Sequence, residues 1–149
     1  MSQAAIRTGI YNAVNGVTNV GKVYDRLRLT TEWSYEQFLD LFKVNIGGIE
    51  QIRGWMIEYK NFETDDSFQC FTRKHEYVIN GFMRVNDERA SEKEFATLVE
   101  TVSDTLDADS TVHAHSDSDP AQLGVFEVRL FGNVACHYAE ITQKVSEDL

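Results

Sequence analysis

The sequence predicts an α+β domain with a mainly antiparallel mixed sheet and helices packed on it. First, the run from Arg73 to Val85 alternates apolar and polar residues, which is the period of a half-buried strand. Second, the segment from Ser91 to Leu106 repeats its apolar residues at helical spacing. Third, the segments follow one another in the order helix, strand, helix, strand, strand, helix, strand, strand, which is typical of this class.

The first helix is predicted over residues 3–15. Its apolar residues share one helical face, and Gly16 stands where a carboxy-terminal cap is expected. Residues 20–29 then alternate, which predicts a strand with one charged side. The first side of this strand carries Val23, Asp25, Leu27 and Leu29, and the charged side carries Lys22, Tyr24, Arg26 and Arg28.

A second helix is predicted from about Tyr35 to Lys43. Ser34 and Gln37 have the spacing of a capping box, and Trp33 can pack on Phe38 as a hydrophobic staple. The capping pair and the staple both place the start of the helix at the same residue.

A β-hairpin with a projecting tip is predicted next. Gly47 and Gly48 open a turn, and residues 55–60 alternate as a strand. The acidic stretch FETDDS, residues 62–67, then leads into the long alternating strand described above. We therefore expect residues 62–67 to form the tip.

The third helix is predicted to begin with a capping box formed by Ser91 and Glu94. The polar residues 107–121 follow, contain the only proline, Pro120, and have no sustained period. They predict a flexible acidic loop. The apolar stripe of the helix consists of Phe95, Leu98, Val99, Val102 and Leu106.

A last pair of strands completes the predicted sheet. Gly132 and Asn133 supply turn chemistry between residues 126–130 and residues 134–142. The charged tail KVSEDL, residues 144–149, is expected to fray. Residues 1–149 are interpreted as a single domain because no repeat and no linker interrupts them.

Composition narrows the classes of function. The chain has 149 residues and a net charge of −10, from 24 acidic and 14 basic residues, which opposes binding to nucleic-acid phosphates. Cys70 and Cys136 fall in alternating runs, so we expect buried thiols in a reducing compartment and no disulfide. The first residues lack the pattern of a secretion signal, and no apolar run is long enough for a membrane span.

The densest cluster of potential metal ligands lies in the predicted loop. Alternate spacing could place these side chains together, but a solvated loop explains them better because no cysteine accompanies them. A calcium loop starting at Asp107, Asp109 and Thr111 is rejected, since Val112 replaces the required glycine and Ser118 the glutamate. The cluster consists of His113, His115, Asp117 and Asp119.

Other candidate chemistry is weak. Glu58 and Lys60 resemble half of a metal-dependent nuclease site, but the upstream Pro-Asp pair is missing and a solvated strand face explains both residues. The neighbouring pairs His75–Glu76 and Cys136–His137 point to opposite faces of their strands and make no preformed dyad. We therefore expect no enzyme activity and no catalytic, cofactor-binding or metal-binding residues.

Aromatic residues on the predicted strands have two interpretations. They could stack on single-stranded nucleic acid, but such a platform needs a basic groove, and the chain is acidic. Core or protein-interface positions are favoured instead. These residues include Trp55, Tyr59, Phe68, Phe71 and Tyr77.

Several blocks of sequence, spread over nearly the whole chain, resemble tail terminator and neck proteins of long-tailed bacteriophages. They are GKVYDRLRL with the following WSYEQFLDLF, GWMIEY, HEYVINGF with ASEKEF, and FGNVACHYAEI. The resemblance lies in the order of the elements and in the overall pattern of residues within them. It includes no catalytic signature.

The resemblance implies a small structural subunit similar to the lambda-type tail terminator. Such a subunit forms a ring, expected to be a hexamer, that ends polymerisation of the tail tube and joins the head. The implied partners are the tail tube protein below and a head-completion or connector protein above, while genome DNA passes through without specific binding. The implied location is the head-tail junction of the virion, after assembly in the host cytoplasm, without any cofactor.

Hypotheses about contacts and about charge follow from this resemblance. The tip near Glu63, Asp65 and Asp66 would touch a neighbouring subunit or ring, and Trp55 or Tyr59 would anchor an interface. An acidic lumen would let DNA slide. The even face of the long strand, a further candidate for subunit contacts, carries Lys74, Glu76, Asn80 and Arg84.

The alternatives are other neck, head-completion or minor tail proteins, because small α+β folds do not fix a position in the particle. A nuclease using Glu58 and Lys60 and a small adaptor or chaperone with one partner are the remaining classes.

Overall fold

A computed structural model describes residues 3–28, 34–66, 71–108 and 119–148. These ranges form an α+β fold in which helices pack on a mostly antiparallel sheet, which confirms the predicted class and order of elements. The elements are α1 (Gln3–Asn15), β1 (Lys22–Tyr24), α2 (Tyr35–Asp40), β2 (Lys43–Ile46), β3 (Ile49–Asp65), β4 (Thr72–Arg84), α3 (Ser91–Ala108), β5 (Gln122–Phe131) and β6 (Val134–Asp148).

The sheet has the strand order β1-β3-β4-β6-β5, and β2 pairs with the start of β3. All of these pairs are antiparallel except β1 with β3. Gly47 and Gly48, which join β2 to β3, have φ angles of 62° and 81°, the backbone of a type I′ hairpin turn. Gly132, at 65°, supplies the positive φ of the turn between β5 and β6.

The main hydrophobic core lies between one face of the sheet and helices α1 and α3. This helix-side face carries the odd-numbered residues of β4 and β6, including Ile79 and Ile141. The indole of Trp55 stacks on Phe95 of α3 at 6.2 Å and covers Gly81 of the neighbouring strand. A β-carbon at Gly81 would overlap the indole ring, so only glycine fits there.

A second, smaller core lies on the opposite face of the sheet under α2. Phe38 and Phe42 of α2 and the following turn pack against Phe82 at 5.6 and 4.4 Å. Strand β4 was expected to be half-buried, but it is buried on both faces from Tyr77 to Met83 because the two cores enclose it. Alternation along β4 therefore does not separate a core side from a solvent side.

The strand predicted over residues 20–29 is shorter than expected. Only Lys22–Tyr24 pair with β3, and the chain bends at Asp25 and Arg26. The carbonyl oxygen of Asp25 accepts a hydrogen bond from Arg7 Nη1 at 3.0 Å instead of joining the sheet. Leu29 lies outside the described residues.

The capping box that begins α2 is confirmed. The backbone N–H of Gln37 donates to Ser34 Oγ, and the N–H of Ser34 donates to Gln37 Oε1 at 3.0 Å. Trp33, the proposed staple, lies outside the described residues. The helix ends at Asp40, and Lys43 already belongs to β2, a strand that periodicity did not reveal.

The predicted capping box of α3 is wrong, although its helix forms as expected. Ser91 Oγ accepts a hydrogen bond from the N–H of Asn86 at 2.8 Å and lies 2.8 Å from His137 Nε2. The Ser91 hydroxyl is thus engaged by His137 of β6 and by the backbone of the preceding turn, while the Glu94 carboxylate forms an ion pair with Arg53.

The carboxy-terminal residues do not fray as predicted. Strand β6 continues to Asp148 beside β4, and both Val145 and Glu147 are buried. The predicted loop begins later than residue 107, because Asp107 and Ala108 still belong to α3. At its other end, the N–H of Asp119 donates to the carbonyl of Lys144 at 3.1 Å. Residues 109–118 lie outside the described ranges.

No helix in the described ranges has the length and apolar character needed to cross a membrane.

Candidate functional site

The most distinctive surface is one row of side chains on β5, an edge strand. Within the described ranges β5 pairs with β6 alone. The register places Leu123, Phe126, Val128 and Leu130 opposite odd-numbered residues of β6, so these four side chains project on the helix-side face. They are exposed at 51%, 39%, 58% and 71%, respectively. We call these four residues the apolar row.

The apolar row begins beside the main core and extends from it along the exposed edge of the sheet. The ring of Phe126 lies 5.6 Å from that of Phe95 on α3, while Val128 and Leu130 extend beyond this contact. Large apolar side chains that are exposed together on an edge strand mark a protein-binding surface, because the strand also offers unpaired backbone groups. The sequence predicts that Phe126, Val128 and Leu130 form one apolar face of a strand, which the structure confirms, but periodicity alone does not show that this face is exposed.

The opposite side of β5 is different in character. Glu127 and Arg129 form an ion pair there, and the Arg129 guanidinium lies 4.1 Å from the Tyr138 ring centroid. Phe131 packs on Phe38 of the second core at 5.7 Å. The two faces of the strand therefore present unlike chemistry, and only the helix-side face exposes a continuous apolar row.

A second uncovered edge lies at the other side of the sheet. Strand β1 pairs with β3 only as far as Met56, and among the described residues 57–65 of β3 have β4 as their single partner strand. A β-bulge between Tyr59 and Asn61 shifts the register, so Phe62 lies on the helix-side face opposite His75. Phe62 is 51% exposed, and the Arg73 guanidinium lies 4.5 Å from its ring centroid.

A chain of polar side chains, buried at His75 and Glu147, connects β3, β4 and β6 at this second edge. Tyr59 Oη lies 2.8 Å from His75 Nδ1, and His75 Nε2 lies 3.1 Å from Glu147 Oε1. Burial raises the pKa of Tyr59 above its ordinary value, so its hydroxyl stays protonated. Sequence reasoning considered His75 only with its neighbour Glu76 and missed this arrangement, which depends on the order of strands in the sheet.

His137 also has a partner that the sequence did not reveal. It contacts Ser91 and stacks on Phe95 at 5.8 Å, and its burial lowers the pKa of the imidazole. The contact between Ser91 and His137 links α3 to β6. Cys136, beside it, has its thiol pKa raised to about 11 by burial, in keeping with the predicted buried hydrophobe. Cys70 lies outside the described residues.

A buried arginine near the start of β3 joins this strand to the loop at Asn19 and to α3. Arg53 Nη1 donates to the carbonyl of Asn19 at 2.8 Å, while Nη2 donates to Gln51 Oε1 at 2.7 Å and to Glu94. Glu94 is partly exposed, so the pair neutralises the buried guanidinium without burying a second complete charge. The pair holds α3 against the sheet.

The Glu58–Lys60 pair is an ion pair on the strand surface. Lys60 Nζ lies 3.1 Å from Glu58 Oε1, and Asn80 Nδ2 donates to Glu58 Oε2 at 3.3 Å. No group of three or more His, Cys, Asp or Glu residues suited to a metal ion occurs in the described ranges. His113, His115 and Asp117 lie outside those ranges, and Asp119 pairs with Lys74 at 2.8 Å.

Some of the predicted contact residues are buried in the structure and others are exposed. Trp55 is completely buried in the main core, so the prediction that it anchors an interface is wrong. Tyr59 is partly exposed on the second edge, and the tip residues that the structure describes are exposed. On the even face of β4, Asn80 is buried, because Tyr138 Oη donates to its side chain at 2.9 Å. Phe68 lies outside the described residues.

Comparison with known proteins adds no identification. A scan of protein-family models found no match, and no curated protein matched the chain.

Proposed function

We propose that this protein is a structural subunit that forms a ring at the head-proximal end of a bacteriophage tail tube. In this role it ends tube polymerisation and presents the surface that joins the head. The phage assignment rests on the sequence blocks that resemble tail terminator and neck proteins. The partners would be the tail tube protein below and a head-completion or connector protein above.

The apolar row on β5 is the observation that carries the assembly part of this proposal. Burying four large side chains that now face water would favour association, at about 25 cal/mol per Å² of apolar surface. The second uncovered edge lies across the sheet and differs from the first in sequence and shape. Two unlike surfaces on opposite sides of a subunit suit the head-to-tail contacts from which closed rings are built.

The charge of the chain fits a channel for DNA. Each subunit contributes a net charge of −10, and a ring of such subunits would repel the phosphates of a passing genome. Repulsion reduces adhesion, so DNA would slide through a lumen lined by carboxylates. A protein that held DNA would need the opposite charge.

Native mass spectrometry of the purified protein tests the assembly, and immunogold labelling of phage particles tests the location. We expect rings of about six copies and label at the head-tail junction. Complementation then separates the roles: loss of a terminator gives abnormally long tail tubes, whereas loss of a head-completion protein gives normal tails beside unjoined heads.

Other outcomes would replace the proposal with a different class. A monomer that cuts DNA when Mg²⁺ is added would favour a nuclease at Glu58 and Lys60. A monomer or dimer without nuclease activity, absent from purified particles, would favour an adaptor or chaperone.

A further inference from the structure

The two uncovered edges of the sheet run in opposite directions. Strands β3 and β6 run one way, and β4 and β5 run the other, because each pair of neighbours along β3-β4-β6-β5 is antiparallel. Suppose that copies are related by rotation about an axis parallel to the strands. Strand β5 of one copy then meets β3 of the next in the antiparallel sense, the slightly more stable arrangement of strands.

The same rotation brings matching faces together. On the helix-side face β5 presents the apolar row, and the uncovered part of β3 presents Ile57, Tyr59, Phe62 and Thr64. Neither row contains a charged side chain. For a subunit with a net charge of −10, self-association is favoured where no carboxylates face one another, and these two rows meet that condition. On the opposite face Glu63 of β3 would approach Glu127 of β5, whose charge is paired with Arg129.

The backbone of β5 is also presented to a neighbour. Phe131 and Val134 flank the two-residue turn and form a hydrogen-bonded pair in hairpins of this length, so alternate residues of β5 point their N–H groups away from β6. By this alternation the outward N–H groups belong to Phe126, Val128 and Leu130. The residues that supply the apolar side chains thus also supply backbone donors that no strand of the described ranges pairs with.

Each edge has one irregular position and one regular stretch. The irregularities lie between Leu123 and Val125 in β5 and between Tyr59 and Asn61 in β3. Residues 125–131 and 61–65 remain regular, and both stretches include exposed apolar side chains. A ladder between them would extend the sheet from one copy into the next.

We propose that adjacent copies join by sheet extension, with residues 125–131 of β5 pairing antiparallel to residues 61–65 of β3 in the next copy. The occupant of the apolar row is therefore a second copy of this chain, and Phe62 of that copy lies beside Val128. This inference rests on the proposed ring and specifies its subunit contact.

Cross-linking of two single-cysteine variants tests the contact. One preparation carries Val128→Cys and the other Phe62→Cys, both with Cys70→Ser so that the remaining thiol is the buried Cys136. The two are mixed under conditions that allow subunit exchange and treated with a short bis-maleimide. We expect peptides that link position 62 to position 128 and, within each unmixed preparation, none that link a position to itself.

A predominant 128–128 link would overturn the inference, because it indicates a symmetric contact between two β5 strands. Rings without any 62–128 link would also overturn it while leaving the proposed function intact. A wild-type protein that remains monomeric and is absent from the head-tail junction would instead contradict the proposed function.

A charge placed in the apolar row provides a second test. Val128→Lys should lower the affinity between subunits at least tenfold, because a lysine in the contact must be desolvated, and should leave monomer folding unchanged because Val128 is exposed. Thr101→Lys adds the same charge on the exposed surface of α3 and serves as the matched control. Equal ring populations for both variants, measured by native mass spectrometry over a dilution series, would overturn the inference.

Discussion

At the scale of single residues, close contacts explain positions that the sequence left ambiguous. Gly81 interrupts an apolar run, and its role becomes clear only from the Trp55 ring on the neighbouring strand. His75 and Glu147 are far apart in the chain but are buried together. Periodicity assigns a side chain to a face, but it does not identify the residue that the side chain meets across the sheet.

Gly81→Ala should destabilise the fold by about 1–3 kcal/mol, because the added methyl group overlaps the buried indole ring of Trp55. Urea denaturation of dilute protein measures the free energy of unfolding. Gly124→Ala is the control, since a β-carbon there would have Glu140 O as its nearest neighbour at 3.9 Å. Equal stability losses in both variants would contradict this account of Gly81.

His137 should make the fold less stable as the pH falls from 7 to 5. Its pKa is lowered by burial from the ordinary 6.5, so the unfolded chain binds the proton more readily in this range and protonation favours unfolding. In His137→Gln this contribution is absent, and the stability should depend less steeply on pH.

The free energy of unfolding, measured at several pH values for both proteins, tests this contribution of His137. Other titrating groups are common to the two proteins and cancel in the difference. Parallel pH profiles would show that His137 does not contribute.

At the scale of elements, the strongest local signals were reliable and the short ones were not. The capping box of Ser34 and Gln37 correctly marked the start of α2. Strand β2 was missed because its four residues follow α2 after a two-residue turn and continue the predicted helical run. The polar end of β6 looked like a free tail because its partner, β4, lies far away in sequence.

The end of the β3–β4 hairpin should take part in joining heads to tails. Replacing Glu63, Asp65 and Asp66 with serine removes three exposed carboxylates and leaves the backbone ladder with β4 able to form. We expect rings still to form, because the proposed contact with the next copy uses the backbone and the helix-side side chains of this strand, and we expect joining of heads to tails to fall in a complementation assay. Wild-type joining by this triple variant would remove the tip from the proposed interface.

At the scale of the whole molecule, the two faces of the sheet have different surroundings. Among the described residues, helices α1 and α3 cover one face, while the other carries α2 and a partly exposed polar area that includes Glu58, Glu76 and Glu140. If the strands run parallel to the axis of the ring, the face that carries α2 would point toward the lumen, and helices α1 and α3 would lie on the outer surface. This arrangement would place carboxylates toward the lumen.

Glu76→Lys should therefore slow DNA ejection from particles that contain it, because a lysine on the lumen side attracts phosphates. Glu100→Lys reverses the same charge on the exposed surface of α3 and should leave ejection unchanged. Ejection can be followed by a dye that fluoresces on released DNA. Identical rates for the two variants would contradict the assignment of this face to the lumen.

The bulge in β3 changes which side chains of this strand face the helices, and this affects how the sequence should be aligned with related ones. Before Lys60 the odd-numbered residues face the helices, and after it the even-numbered ones do, so Phe62 looked like part of an acidic tip. A deletion elsewhere in a regular strand transfers every later side chain to the wrong face. Removing Lys60 would instead restore plain alternation and leave Tyr59 and Phe62 where they are. Homologous chains whose equivalent of β3 is one residue shorter are thus expected to have their gap at this position.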